Sequence, residues 1–228
     1  MIRRPERRVL ITLLIVAGAL WAFNQIENHF SGAGGIDKAV LMSFRTAADP
    51  TEPVGPKWVQ EFARDITALG SFTILFPVIT ATVIYLFLTR RKTEAWTMMA
   101  ATGGGIAVAS LIKNLVARPR PDVLLHSVYV SSFSFPSGHA MMSAVTYLTL
   151  GALTAREFKR PLLKAYVMAL AVIVTLFVGL SRVYLGVHWP SDVLGGWSLG
   201  AAWALFCWNA VERFDKRRSL KRTVTDVQ

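Results

Sequence analysis

Cysteine is almost missing from this chain: Cys207 stands alone among 228 residues. That excludes an internal disulfide framework and any Cys-rich zinc site. Charge is scarce too. Only 17% of residues are charged, against 53% hydrophobic, and the mean hydropathy is +0.43. Disorder requires low hydrophobicity and is excluded. Acidic residues are the scarcest charges, 14 against 25 Lys and Arg, for a net charge of +11. An excess of that size ordinarily suggests nucleic acid or an anionic membrane as partner. A chain this poor in charge overall is no basic soluble domain. The question is where the excess sits.

Long apolar runs answer it. A bilayer core of about 30 Å needs about 20 mostly apolar residues as helix. Six segments qualify: 9–23, 69–89, 95–112, 139–155, 165–181 and 193–211. The first is short. It follows a basic stretch (Arg3, Arg4, Arg7, Arg8) and contains the small-residue pattern Ala17-Gly18-Ala19. Apolar sequence continues through Phe23, so it reads as an uncleaved signal anchor. The third segment carries Gly103, Gly104 and Gly105, small residues that let membrane helices approach closely.

With the N-terminus in the cytoplasm, the inner segments hold 17 basic and 6 acidic residues. The outer segments hold 8 of each, so the entire excess falls on one face. That is the pattern of the positive-inside rule. The expectation is an all-α polytopic membrane protein with six transmembrane helices and both termini cytoplasmic. One domain would span 1–215, followed by a basic cytoplasmic tail, 216–228. A nucleic-acid partner is not expected, because the charge lies in short juxtamembrane clusters. In the first outer loop, 24–68, Trp58, Phe62, Ile66 and Leu69 recur at helical spacing. They predict a short helix, either interfacial or capping the bundle. Neither reading gives it chemistry.

Three constellations fall on the outer face. Lys113, Arg118 and Arg120 close the third span, and Arg182 closes the fifth. A lone cation at a helix end is commonly a snorkelling side chain, but together they suit an anion, with Arg as planar fork and Lys as point charge. Phe135-Pro136-Ser137-Gly138-His139 opens the fourth span. A helix N-terminus presents N–H groups and a positive dipole end to an anion. Ser137 adds a hydroxyl, Gly138 permits close approach, and His139 falls in the first turn. Finally, Asp192 lies in the first turn after Pro190 and can reach back to His188. A carboxylate on one imidazole nitrogen fixes the tautomer and raises the basicity of the other. Cations, N–H groups, two imidazoles and a carboxylate together fit phosphoryl transfer.

These residues resemble the type 2 phosphatidic acid phosphatase superfamily, which includes vanadium haloperoxidases. Its signature reads here as Lys113…Arg120-Pro121, then Pro136-Ser137-Gly138-His139, then Ser181-Arg182…His188…Asp192. All positions match, and they span 113–192. The resemblance implies His188 as nucleophile, Asp192 as its orienting partner and His139 as general acid. Lys113, Arg120, Ser137, Gly138 and Arg182 would hold the phosphate. No metal or other cofactor is implied. Arg118 is not a signature position and adds positive potential. His29, His126, Asp122 and Tyr184 receive no role.

The expected function is a lipid phosphatase of the bacterial cytoplasmic membrane, its site facing the periplasm or outside. The implied substrates are lipid phosphates: undecaprenyl pyrophosphate, phosphatidylglycerol phosphate, phosphatidic acid or lipid A phosphates. Undecaprenyl pyrophosphate and phosphatidylglycerol phosphate lead among them. A transporter or flippase with an outer phosphate-binding vestibule is the alternative. It calls for charged residues at mid-membrane, which these spans lack. A haloperoxidase is the soluble branch of the resemblance, and the six spans argue against it.

Overall fold

The computed structural model describes residues 35–121 and 132–225, with side chains to residue 211. The first predicted span, its basic flank, His29, Asp122 and His126 lie outside the described residues. So do the side chains of the tail. Among the described residues all regular structure is helical, apart from an isolated bridge between Arg45 and Pro53.

Seven helices follow in order: α1 (Ile36–Ser43), α2 (Lys57–Ala68), α3 (Phe72–Leu88), α4 (Lys92–Val116), α5 (Gly138–Ala155), α6 (Pro161–Tyr184) and α7 (Pro190–Thr225). Local chemistry sets their ends. The Ser71 and Ser137 hydroxyls accept from Ile74 and Ala140 N–H and cap α3 and α5. Pro161 and Pro190 open α6 and α7, where a missing N–H costs nothing. Ala117 ends α4 in the left-handed region at φ 48°. That turn redirects the chain so that Arg118 and Arg120 point back over the bundle end.

Helices α4 and α6 are long and apolar enough to cross a membrane. The pair α2–α3, bent by 41°, meets the same test as a broken span. The helix expected in the first outer loop therefore exists, and it runs directly into the second predicted span. Ala63 of α2 packs on Leu185 and Val187, while Trp58 and Phe62 stay exposed. The helix thus caps the bundle with one face and offers aromatics to its surroundings with another. α6 turns Leu170, Ile173, Phe177 and Leu180 outward. A row of exposed large apolar side chains is what a lipid-facing helix presents.

α5 is the central helix and packs against α4, α6 and α7. Small residues bring α5 and α7 together. A Cβ on Gly196 would lie 2.8 Å from the Ser137 carbonyl oxygen, and one on Gly200 2.5 Å from that of Met141. Of the glycine run in α4, Gly104 meets the Trp203 ring and Gly105 meets Val145, whereas Gly103 faces open space. Only part of that run serves helix contact. α7 continues helical through residue 215 to Thr225.

The α5–α7 seam holds the first turns of both helices in register. Gly200→Val should force them apart at a cost of about 1–3 kcal/mol, the usual range for overpacking. The expected result is a lower melting temperature in detergent with a parallel loss of phosphatase activity. An unchanged melting curve would show that the seam tolerates a side chain.

Candidate active site

Every site residue expected from the sequence lies at one end of the bundle. Lys113 comes from the last turn of α4 and Arg120 from the segment after it. Ser137, Gly138 and His139 form the start of α5. Arg182 closes α6, His188 sits in the α6–α7 turn, and Asp192 lies in the first turn of α7. The Ser137 N–H donates to the Asp192 carbonyl at 3.0 Å, which ties the α5 and α7 starts together.

His188 is buried, with 2% of its surface exposed. Arg120 Nη1 lies 3.1 Å from its Nε2. A guanidinium has no acceptor, so Nε2 must carry the lone pair and Nδ1 the proton. Nδ1 faces Asp192 Oδ2 and Ser134 Oγ, each at 3.4 Å. Ser134 in turn donates to Asp192 Oδ2, which also accepts the Trp189 N–H at 2.9 Å. The lone pair on Nε2 is thus aimed at the cations, and the proton at the carboxylate.

Burial pushes the His188 imidazole down to about 4, even though Asp192 works in the opposite direction and Arg120 and Arg182 add to the fall. The ring is neutral at physiological pH, as a nucleophile requires. The His188 limb of the activity profile should therefore fall with a midpoint near 4. The measurement is kcat/KM against pH, corrected for the substrate's second phosphate ionisation near about pH 6. The stability consequence has a definite sign. Below about 6.5 an unfolded chain takes up a proton that folded His188 refuses. Stability is then lost progressively between that pH and about 4.

Backbone carbonyls hold two of the cations. Arg120 Nε donates to Ser132 O at 2.7 Å, and its Nη1 to Val187 O at 2.7 Å. Lys113 Nζ donates to Phe133 O at 2.7 Å. A Cβ on Gly138 would meet only Lys113 Cε, at 3.9 Å, so the α5 N-terminus and the Lys113 side chain converge. Arg182 Nη1 donates to Thr67 Oγ1 at 3.0 Å, and its buried Nε has no partner among the described residues. A buried, unsatisfied guanidinium donor is costly unless an anion completes it. His139 lies within electrostatic reach of Arg182, His188, Arg120 and Lys113. Gly70, in the α2–α3 corner, presses on its backbone: a Cβ there would lie 3.1 Å from the His139 carbonyl oxygen.

Several residues enter that sequence patterning passed over. Thr67 gives α2 a contact with the site, contrary to the expectation that this helix carries no chemistry. Ser134 touches both His188 and Asp192. Asp37 and Ser191 reach Asp192 through Arg118. None of these belongs to a spaced pattern, and Asp37 lies 154 positions before Ser191. A groove of about 570 Å³ leads away from the cluster, bounded by Gly138, His139, Phe76, Ile79, Gly103 and Ile106. It is apolar, runs between α3 and α4, and explains why Gly103 faces open space.

Comparison with known proteins gives the family. A family model described as the PAP2 superfamily matches residues 94–216. Phosphatidylglycerophosphatase B of Bacillus subtilis is 36% identical over 163 residues, covering 70% of this chain and 77% of that protein. Undecaprenyl-diphosphatase of Sulfolobus acidocaldarius is 31% identical over 133 residues, covering 56% of this chain and 60% of that protein. The crystal structure of a transmembrane PAP2-type phosphatidylglycerolphosphate phosphatase from Bacillus subtilis superposes with a TM-score of 0.65 at 30% identity. It covers 95% of this chain and 98% of that one. The chain belongs to the PAP2 superfamily and is a membrane phosphatase, hydrolysing phosphoric esters or anhydrides.

Proposed function

We propose that the protein removes phosphate from a lipid headgroup at the outer membrane–water interface through a phosphohistidine intermediate. The observation that carries this reading is the His188 ring, neutral and buried, with its Nε2 lone pair turned towards Arg120. Lys113, Arg120, Arg182, the Ser137 hydroxyl and the N–H groups opening α5 would surround the phosphate oxygens. Nε2 attacks phosphorus and the bond to the lipid oxygen breaks. His139 gives that oxygen its proton. Water, deprotonated by His139, then attacks the phosphohistidine and releases phosphate and free His188. Asp192 holds the Nδ1 proton throughout and offsets the charge that the ring gains. The apolar groove beside His139 would take the lipid chains.

The charge asymmetry supports six spans, cytoplasmic termini and a site on the outer face, with the cytoplasmic membrane of a bacterium as the location. It also supports one membrane domain over 1–215 with a basic tail after it. Phosphatidylglycerol phosphate and undecaprenyl pyrophosphate come first among the candidate substrates, a reading supported by the names of two relatives. The experiment is phosphate release by purified protein in detergent with EDTA, across those two lipids, phosphatidic acid and lipid A. Strict dependence on added Mg²⁺, or release from water-soluble esters alone, would overturn the reading.

A further inference from the structure

Arg118 lies outside the signature, yet it makes some of the densest contacts near the site. Its Nη1 donates to Asp192 Oδ1 at 2.8 Å and to Ser191 Oγ at 2.6 Å. Its Nη2 donates to Asp37 Oδ2 at 2.8 Å. The guanidinium also lies over the Trp189 ring, 5.8 Å from its centroid. Asp37 belongs to α1 and is nearly buried, with 8% of its surface exposed. Its Oδ1 accepts the Ser191 N–H at 2.9 Å, and its Oδ2 accepts the Ser191 hydroxyl. A carboxylate from the outer loop thus satisfies a free N–H at the start of α7, where a negative charge is favoured.

From this geometry we infer that Arg118 and Asp37 form a positioning unit that holds Asp192, and through it His188, in the reactive orientation. The inference rests on the proposed role of His188. Asp192 is fully buried, and its two oxygens have separate duties. Oδ2 faces the His188 Nδ1 proton, Ser134 and Trp189, whereas Oδ1 is taken by Arg118. Without that anchor Oδ1 loses its partner, and only Ser134 and the Trp189 N–H are left to hold the carboxylate against His188. Arg118 is in turn gripped between two carboxylates, so Asp37 fixes the fork as the fork fixes Asp192. Lysine has one point of charge and cannot span both acids and Ser191. The unit links the first outer loop to the catalytic turn, which explains why a buried acid stands so far from the signature.

The test uses Asp37→Asn, Arg118→Lys, Arg118→Ala and the Asp37→Asn/Arg118→Ala pair in the full chain, with His188→Ala as control. Outer-shell partners of catalytic groups typically contribute about 10–100-fold. We expect kcat to fall by that order in Arg118→Ala and somewhat less in Asp37→Asn, with KM within about twofold of wild type. The double variant should be far less impaired than the product of its parts, because both act through Asp192. The pH profile separates positioning from loss of fold. Asp192, Arg120, Arg182 and His139 face the His188 ring, and removing the Arg118 charge beside Asp192 should move the acid limb of kcat/KM to higher pH. Arg118→Lys should leave the limb in place while kcat stays low. Wild-type kcat in Asp37→Asn and an unmoved limb in Arg118→Ala would overturn the inference. Should Arg118→Ala fail to fold, Asp37→Asn and Arg118→Lys decide alone: wild-type kcat in both overturns it. An active His188→Ala would instead overturn the proposed function.

Discussion

His188→Ala should abolish turnover, with kcat reduced on the order of 10⁴–10⁶-fold, as when a nucleophile is removed from an otherwise intact site. The reason lies in the division of labour. Lys113, Arg120 and Arg182 come from the end of α4, the segment following it and the end of α6, and none depends on the imidazole for its position. Arg120 keeps its bonds to Ser132 O and Val187 O when the ring is gone. Phosphate binding should survive, and KM should change by no more than a few-fold. What disappears is the buried neutral nitrogen that faces Arg120. Water cannot take its place with comparable effect, because no second carboxylate faces the same spot among the described residues. A chemical trap makes the test decisive. Quenching the wild-type protein during turnover with radiolabelled lipid phosphate should leave label on the protein through an acid-labile P–N bond. His188→Ala should carry none, and His139→Ala should still acquire it with an activated substrate. Full activity in His188→Ala would end the mechanism.

The contrast between what could and could not be read from the sequence follows the range of the interactions. Residues whose role is set within one helical turn were legible. Ser137 caps α5 as the Pro-Ser-Gly-His run implies, and Asp192 lies one turn from His188 as the spacing requires. Apolar runs gave the helices because burial in lipid leaves no alternative to intrahelical hydrogen bonds. Partners from distant segments were not legible. Asp37, Thr67 and Ser134 are single polar residues in stretches with no period, and each gains its meaning only when two chain segments cross. Arg118 is the instructive case. Its charge was visible, but a cation near other cations reads as added positive potential. Only the two carboxylates on either side of it show that it is committed inward, to Asp37 and Asp192. The α2–α3 bend was hidden for a similar reason. Trp58, Phe62 and Ile66 announce a helix, but the 41° bend falls at Gly70, where a Cβ would meet Val178 and the His139 backbone.

His139→Ala should cost about 10²–10⁴-fold, the usual contribution of a positioned general acid, and the size of the loss should depend on the leaving group. A lipid alkoxide is a poor leaving group and needs a proton as the phosphorus–oxygen bond breaks. A nitrophenolate leaves without one. His139→Ala should therefore be crippled on a lipid monoester and much less so on a nitrophenyl phosphate. His188→Ala should be inactive on both. A pyrophosphate lies between, because its departing phosphate stabilises charge better than an alkoxide. The position of His139 gives this expectation its structural basis. It stands in the first turn of α5 against Gly70, and both residues line the apolar groove. A lipid seated there, as proposed, would bring its ester oxygen beside His139. Equal losses on both substrate types would place His139 in phosphate binding instead, beside Arg182 and Lys113. Equal losses confined to the second half-reaction, seen as accumulation of phosphohistidine with nitrophenyl phosphate, would assign it to activating water alone. The ratio of the two losses thus separates leaving-group protonation from every other duty that His139 could perform at this site.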